Sequence, residues 1–190
     1  MISLDEREMI FQFSNFIIDV DVEKTREFYN TAPLITADCS CSGCRNYEKA
    51  VDSIPKEIAS FFAQLGIDMK KSPDVHVHNP DVDGLVLYGG WYHLCGKLVS
   101  GESPWVSTGS GMHLDETKLH AVSEGFRVWF QRGCALLADT FPLPAIQLEL
   151  YAYIPWVLDE PNEYLSILAP KKHVLRRFWE KISRHQTKRR

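Results

Sequence analysis

Apolar and polar positions along the chain change their period near residue 73, and the change separates a helix-forming part from a sheet-forming one. Before it, FSNFIIDV (13–20) is a short apolar run of strand character. In DVEKTREFYNTA (21–32), Asp21 is placed to cap a helix that Pro33 ends. Tyr47, Ala50, Val51 and Ile54 stand at i, i+3, i+4 and i+7, one face of a helix beginning directly after Cys44 and broken by Pro55. The spacing returns at Ile58, Phe61, Phe62 and Leu65, with Pro55 suited to the first turn and Gly66 to the carboxy-terminal cap.

From Pro73 onward the period is two. DVHVH (74–78) is a short strand, NPDVDG a turn, and LVLYGGWYHLCGKLV (85–99) a long strand whose Gly89-Gly90 pair marks a bulge or a close backbone approach. ESPWVSTGSGMHLDETK (102–118) is polar and rich in Gly and Ser, the best candidate for a mobile lid or a disordered tip. GFRVWF, CALLADTF and AIQLELYAYI follow as three further strands. In the last, Ile146, Leu148, Leu150 and Ala152 alternate with Gln147, Glu149, Tyr151 and Tyr153, so one face is buried, one meets water, and the sheet is mostly antiparallel. Val174, Leu175, Phe178, Trp179 and Ile182 form a helical stripe near the end, with Arg176, Arg177, Lys181 and Arg184 largely off it. The expected fold is α+β: a helical N-terminal half packed on a mostly antiparallel sheet, with a C-terminal amphipathic helix. One domain spans 1–190, made of a mainly helical part with a cysteine loop (1–70), the sheet (73–158), and the last helix with its basic tail (163–190).

Composition narrows the class without naming a function. An apolar share of 45% and a charged share of 24% are those of an ordinary globular protein. The net charge of −4 hides an acidic body, because nine Lys and Arg lie from Lys171 onward against one acid, Glu180. A basic tail on an acidic body is not the broad positive footprint of a nucleic-acid binder, so nucleic acid is not an expected partner. MISLDEREMIFQF carries acids where a signal peptide has basic residues, and no stretch reaches the roughly 18 apolar residues of a membrane helix, so a cytoplasmic protein without membrane contact is expected. Five cysteines without an export signal then point to reduced thiols.

Three of those five fall in DCSCSGCRNY (38–47). A loop can turn Cys39, Cys41 and Cys44 toward one point, and Cys44 sits at the start of the following helix, whose N–H groups stabilise a thiolate. Zinc closes a structural tetrahedral site with four ligands, and GGWYHLCGK supplies two candidates for the fourth, His93 and Cys95, two apart on one strand face. A second constellation, His76 and His78, shares a strand face and, with His93 from the next strand, composes a three-histidine site with an open position for substrate. Elsewhere PDVDG lacks a calcium loop's length and final glutamate, STGSGMH is neither a phosphate loop nor a nucleophile elbow, and nothing pairs Asp139, Glu149 or Asp159 as acid and base.

DVDVEKTREFY, CSCSGCRNYEKAV, EIASFFAQLGID and LYGGWYH together resemble a family of small uncharacterised bacterial proteins with C-x-C-x2-C-x-N, an L-G-I-D helix end and Y-G-G-x-Y-H in that order. The resemblance covers roughly residues 17–98. It places Cys39, Cys41, Cys44, Asn46, Tyr88, Gly89, Gly90, Tyr92 and His93 on motif positions, and so implies His93 ahead of Cys95 as fourth ligand. The resulting expectation is a cytosolic bacterial protein whose structural zinc or thiol loop serves as an interaction module for an unknown protein or small molecule. A metal-dependent enzyme using His76, His78 and His93, and a thiol redox sensor built on Cys39, Cys41 and Cys44, stand as alternatives.

Overall fold

A computed structural model describes residues 8–80 and 84–165. The chain opens on an antiparallel hairpin, Glu8–Phe13 (β1) with Phe16–Asp21 (β2), paired from Glu8↔Asp21 to Phe13↔Phe16. FSNFIIDV is therefore two strand ends around a turn and not one strand, because Ser14 takes a left-handed conformation (φ 56°) that reverses the chain. The N-terminal half is accordingly not purely helical.

The helices form where capping and periodicity place them. Asp21 Oδ1 accepts the Lys24 N–H at 3.0 Å at the start of α1 (Val22–Thr31), and the chain leaves that helix before Pro33. A single turn, α2 (Ile35–Asp38), leads into the cysteine loop. Helix α3 runs Ser42–Ala50 with Cys41 as its N-cap, so Cys44 lies inside the first turn and the helix starts earlier than its apolar spacing suggests. Pro55 precedes α4 (Lys56–Gln64), which ends with Gly66 at φ 76°. There Gly66 N–H donates to Ala63 and Ile67 N–H to Phe62, the paired bonds of a Schellman cap.

Among the described residues, seven strands make one antiparallel sheet. Besides β1 and β2 these are Asp74–Pro80 (β3), Leu85–Ser100 (β4), His120–Ser123 (β7), Phe126–Gln131 (β8) and Ala145–Pro155 (β9), while Trp105–Ser107 (β5) and Met112–Leu114 (β6) form a separate small hairpin. The order is β1-β2-β4-β9-β8-β7. Sixteen-residue β4 carries two partners along one edge, β3 beside Val86–Trp91 and β2 beside Gly96–Ser100, while β9 follows its other edge from Leu85 to Cys95.

One face of this sheet is apolar and meets the helices. Tyr88, Tyr92 and Leu94 of β4, Phe126, Val128 and Phe130 of β8, and alternate residues of β9 from Ile146 to Ile154 are buried there with Phe62, Leu65 and Tyr47. Phe62 meets Tyr92 and Phe126 edge-on at 5.2 and 5.8 Å.

The opposite face is not simply wet, as its alternation suggests. Residues 132–144 cross it, and His93, Cys95, Trp129 and Gln147 are buried beneath covering chain. CALLADTF is not a strand, because its backbone bonds to side chains instead of to a neighbouring strand. The Ala135 carbonyl accepts both Trp91 Nε1–H and His93 Nε2–H at 3.0 Å, and its N–H donates to Gln147 Oε1 at 2.7 Å. ESPWVSTGSGMHLDETK is likewise an ordered hairpin, β5–β6, closed by Thr108 N–H to the Gly111 carbonyl. The expected C-terminal amphipathic helix and basic tail lie outside the described residues. No helix among the described residues is long and apolar enough to cross a membrane.

Candidate metal centre

The cysteine loop is held from several sides. Cys39 N–H reaches back to the Ile35 carbonyl, ending α2, while Cys41 Sγ accepts the Cys44 N–H at 3.4 Å and caps α3. Gly43 fills a place with no room for a side chain: a Cβ there would stand 2.8 Å from the Tyr164 hydroxyl and 3.2 Å from Val77 Cγ2. Its carbonyl accepts the Tyr88 hydroxyl at 2.9 Å. Asn46, fully buried, donates to that hydroxyl and to the Pro155 carbonyl, and accepts the Val157 N–H at 2.7 Å. Around the rim, Arg45 pairs with Glu160 and bonds the Ser40 carbonyl, and Ser42 bonds Glu163. Deeper in, Tyr47 bonds Tyr92, which donates to the Met69 carbonyl at 2.7 Å. The loop thus rides on a helix bolted to the central strand through buried hydroxyls.

With the backbone so placed, the sulfurs of Cys39, Cys41 and Cys44 lie within 4.8 Å of one another. The Cys39 thiol donates to Cys41 Sγ at 3.3 Å. Cys39 and Cys41 are exposed and Cys44 is buried. Partial burial acts to raise the Cys41 pKa, but the Cys44 amide, the Cys39 and Cys44 thiols and the Gly43 amide outweigh it and hold Cys41 below its ordinary value. Burial, then the bonds to Cys39 and Cys41, push Cys44 up. Ionisation is thus favoured at Cys41, at the amino end of α3, over Cys44. Three convergent sulfurs of this kind can hold a metal ion.

The other expected ligands do not join the three sulfurs. Val77 and Tyr88 touch the loop, so the alternating side chains of β3 and β4 send His76, His78, His93 and Cys95 to the far face of the sheet. His93 Nε2–H is bound to Ala135, and the ring packs on Phe141 at 5.6 Å. Burial lowers its pKa, only partly opposed by the Ala135 and Gln147 bonds. Among the described residues, neither His93 nor Cys95 joins the sulfur cluster. Nor are the three histidines assembled: His76 pairs with Gly89, four residues along β4 from His93, roughly 13 Å at strand rise.

Next to the sulfurs a cavity of about 520 Å³ opens, walled by Phe28, Ile35, Val75 and Tyr164, with His76 and His93 also on its lining. Sequence reasoning missed its apolar wall. Ile35 read only as the sequel to the helix stop at Pro33, and nothing local marks Tyr164 as a neighbour of residue 43. No protein-family model, curated protein or solved structure matches this chain.

Proposed function

We propose that Cys39, Cys41 and Cys44 bind one zinc ion as thiolates and present its fourth position to the adjoining cavity, where a small-molecule ligand is taken up. The single observation carrying this reading is the convergence of three sulfurs within 4.8 Å at the edge of a largely apolar cavity. Thiolate sulfur selects zinc among the common divalent ions. Among the described residues no fourth protein ligand stands with the three sulfurs, which is the pattern of an open site and not of a closed structural one. The expected structural zinc with His93 or Cys95 as fourth ligand thereby gives way to a centre whose remaining position belongs to a ligand. Protein purified under reducing conditions should carry one equivalent of zinc, and Cys41→Ser should lose it while keeping the wild-type melting temperature to within a few degrees. Zinc retained in full by Cys41→Ser would end the proposal.

A redox role is the second reading, favoured by the 3.3 Å approach of Cys39 and Cys41 sulfurs. Peroxide would take two electrons and two protons from a thiol pair, forming one S–S bond and two waters. Mass spectrometry after mild peroxide should then show two thiols lost from the 39–44 peptide alone, with zinc released. Slow, uniform oxidation of all five cysteines would exclude it.

A further inference from the structure

His76 and His78 make a second constellation that shares no ligand atom with the sulfur cluster, although His76 also lines the cavity beside it. His76 and His78 lie on edge strand β3 with both rings turned over Gly89, 4.6 Å between centroids. Their Nε2 atoms stand 2.6 and 2.4 Å from the point a Cβ of residue 89 would occupy, and those two rings supply the nearest three atoms to that point. Glycine in a strand interior weakens the strand, and it is found where another group must approach the backbone closely. Here the approaching groups are two imidazole tips. His76 Nδ1–H donates to Asp74 Oδ2 at 3.1 Å, which fixes the tautomer and leaves Nε2 with a free lone pair directed over the glycine. A carboxylate behind a ring nitrogen is the usual support of a metal-ligating histidine. Both histidines are exposed, with Trp91 beside His76 at 6.2 Å and Tyr151 beside His78 at 5.5 Å as flanking walls.

We infer that His76 and His78 form a two-imidazole site for a borderline divalent transition-metal ion, held over Gly89 and oriented by Asp74. Imidazole nitrogen suits zinc, nickel and copper and discriminates against magnesium and calcium. Two protein ligands leave the remaining positions to water or to a ligand's own donors, so the site binds more weakly than the three thiolates. No atom of it belongs to the cysteine loop, and it stands or falls separately from the zinc reading above.

Calorimetric titration with Zn2+ tests it. The wild type should bind two equivalents, one tight and one weaker. His76→Ala with His78→Ala should lose only the weaker one. Gly89→Ala should lose it too, although it touches no ligand atom chemically, since the new Cβ would displace the tips of two exposed rings that can swing into solvent. Asp74→Asn should weaken that step by about 10–100-fold. Cys39→Ser with Cys41→Ser and Cys44→Ser should keep the weaker step and lose the tight one. Should that triple variant not fold, Ni2+ added to wild type with its tight site already filled by zinc should broaden the His76 and His78 imidazole resonances first. A weaker step unchanged in both Gly89→Ala and the double histidine variant, or nickel broadening spread evenly over all histidines, would overturn the assignment. Loss of the tight step alone in wild type would instead count against the thiolate centre and leave the imidazole site standing.

Discussion

The two faces of β4 are closed by different means. On one, Tyr88, Tyr92 and Leu94 meet helices whose backbones satisfy themselves, so what the sheet must offer is apolar area and a few hydroxyls. On the other, residues 132–144 lie across the strands without repeating backbone bonds, and the sheet must offer donors and acceptors. Trp91, His93 and Gln147 supply them, all to Ala135. A buried backbone group left unpaired costs about as much as a lost hydrogen bond, so polar side chains are retained under an irregular cover where helices would call for leucines. That difference explains why His93, the most site-like histidine in the sequence, serves the chain that covers it.

The largest effect should come from the helical face. Phe62→Ala should cost about 3–5 kcal/mol, the range for removing a fully buried aromatic ring, read as a lower urea midpoint with unchanged slope. Gln147→Leu, of similar size on the other face, keeps apolar contact but strands the Ala135 N–H. It should cost about 1–3 kcal/mol and accelerate hydrogen exchange across 132–141 with little change in the core strands. A greater loss from Gln147→Leu than from Phe62→Ala would invert the comparison.

The smallest effect is a pH dependence. Burial lowers the folded-state pKa of His93 below its ordinary 6.5, so the unfolded chain binds the extra proton more readily. Stability from this group is complete above that ordinary value and declines as pH falls through it, until the depressed folded value is passed. The difference in unfolding free energy between wild type and His93→Gln should therefore shift against the wild type as pH drops from 7 to 5. The same difference across that window, at every pH, would mean that His93 is solvated and that its cover is open.

Local capping and spacing were legible. Asp21 before a helix, Pro55 and Gly66 around α4, and the period-two runs of β4 and β9 are decided within a few residues, by backbone groups that must find partners nearby. The convergence of Cys39, Cys41 and Cys44 was legible for the same reason, since all three belong to one turn and the helix it starts. Illegible were the elements whose identity depends on a distant neighbour. CALLADTF has the composition of a strand, yet it lies across the sheet and bonds side chains of β4 and β9, and its Leu136 is 69% exposed. The β5–β6 hairpin hid in polar residues, and β1 in a segment read for its charges.

The sequence alone determined the donor groups and their local spacing: three thiols within six positions, two imidazoles at a period of two, and a glycine pair in a long strand. Only the tertiary structure decided which groups meet. Register set His76 against Gly89, and the alternation of β4 sent Tyr88 to the cysteine loop while His93 went to the other face. The physical reason is that a strand assigns successive side chains to opposite sides, while which side holds the helices and which the irregular chain is settled by packing between segments more than 40 residues apart, such as Gly43 with Tyr88 and Trp91 with Ala135.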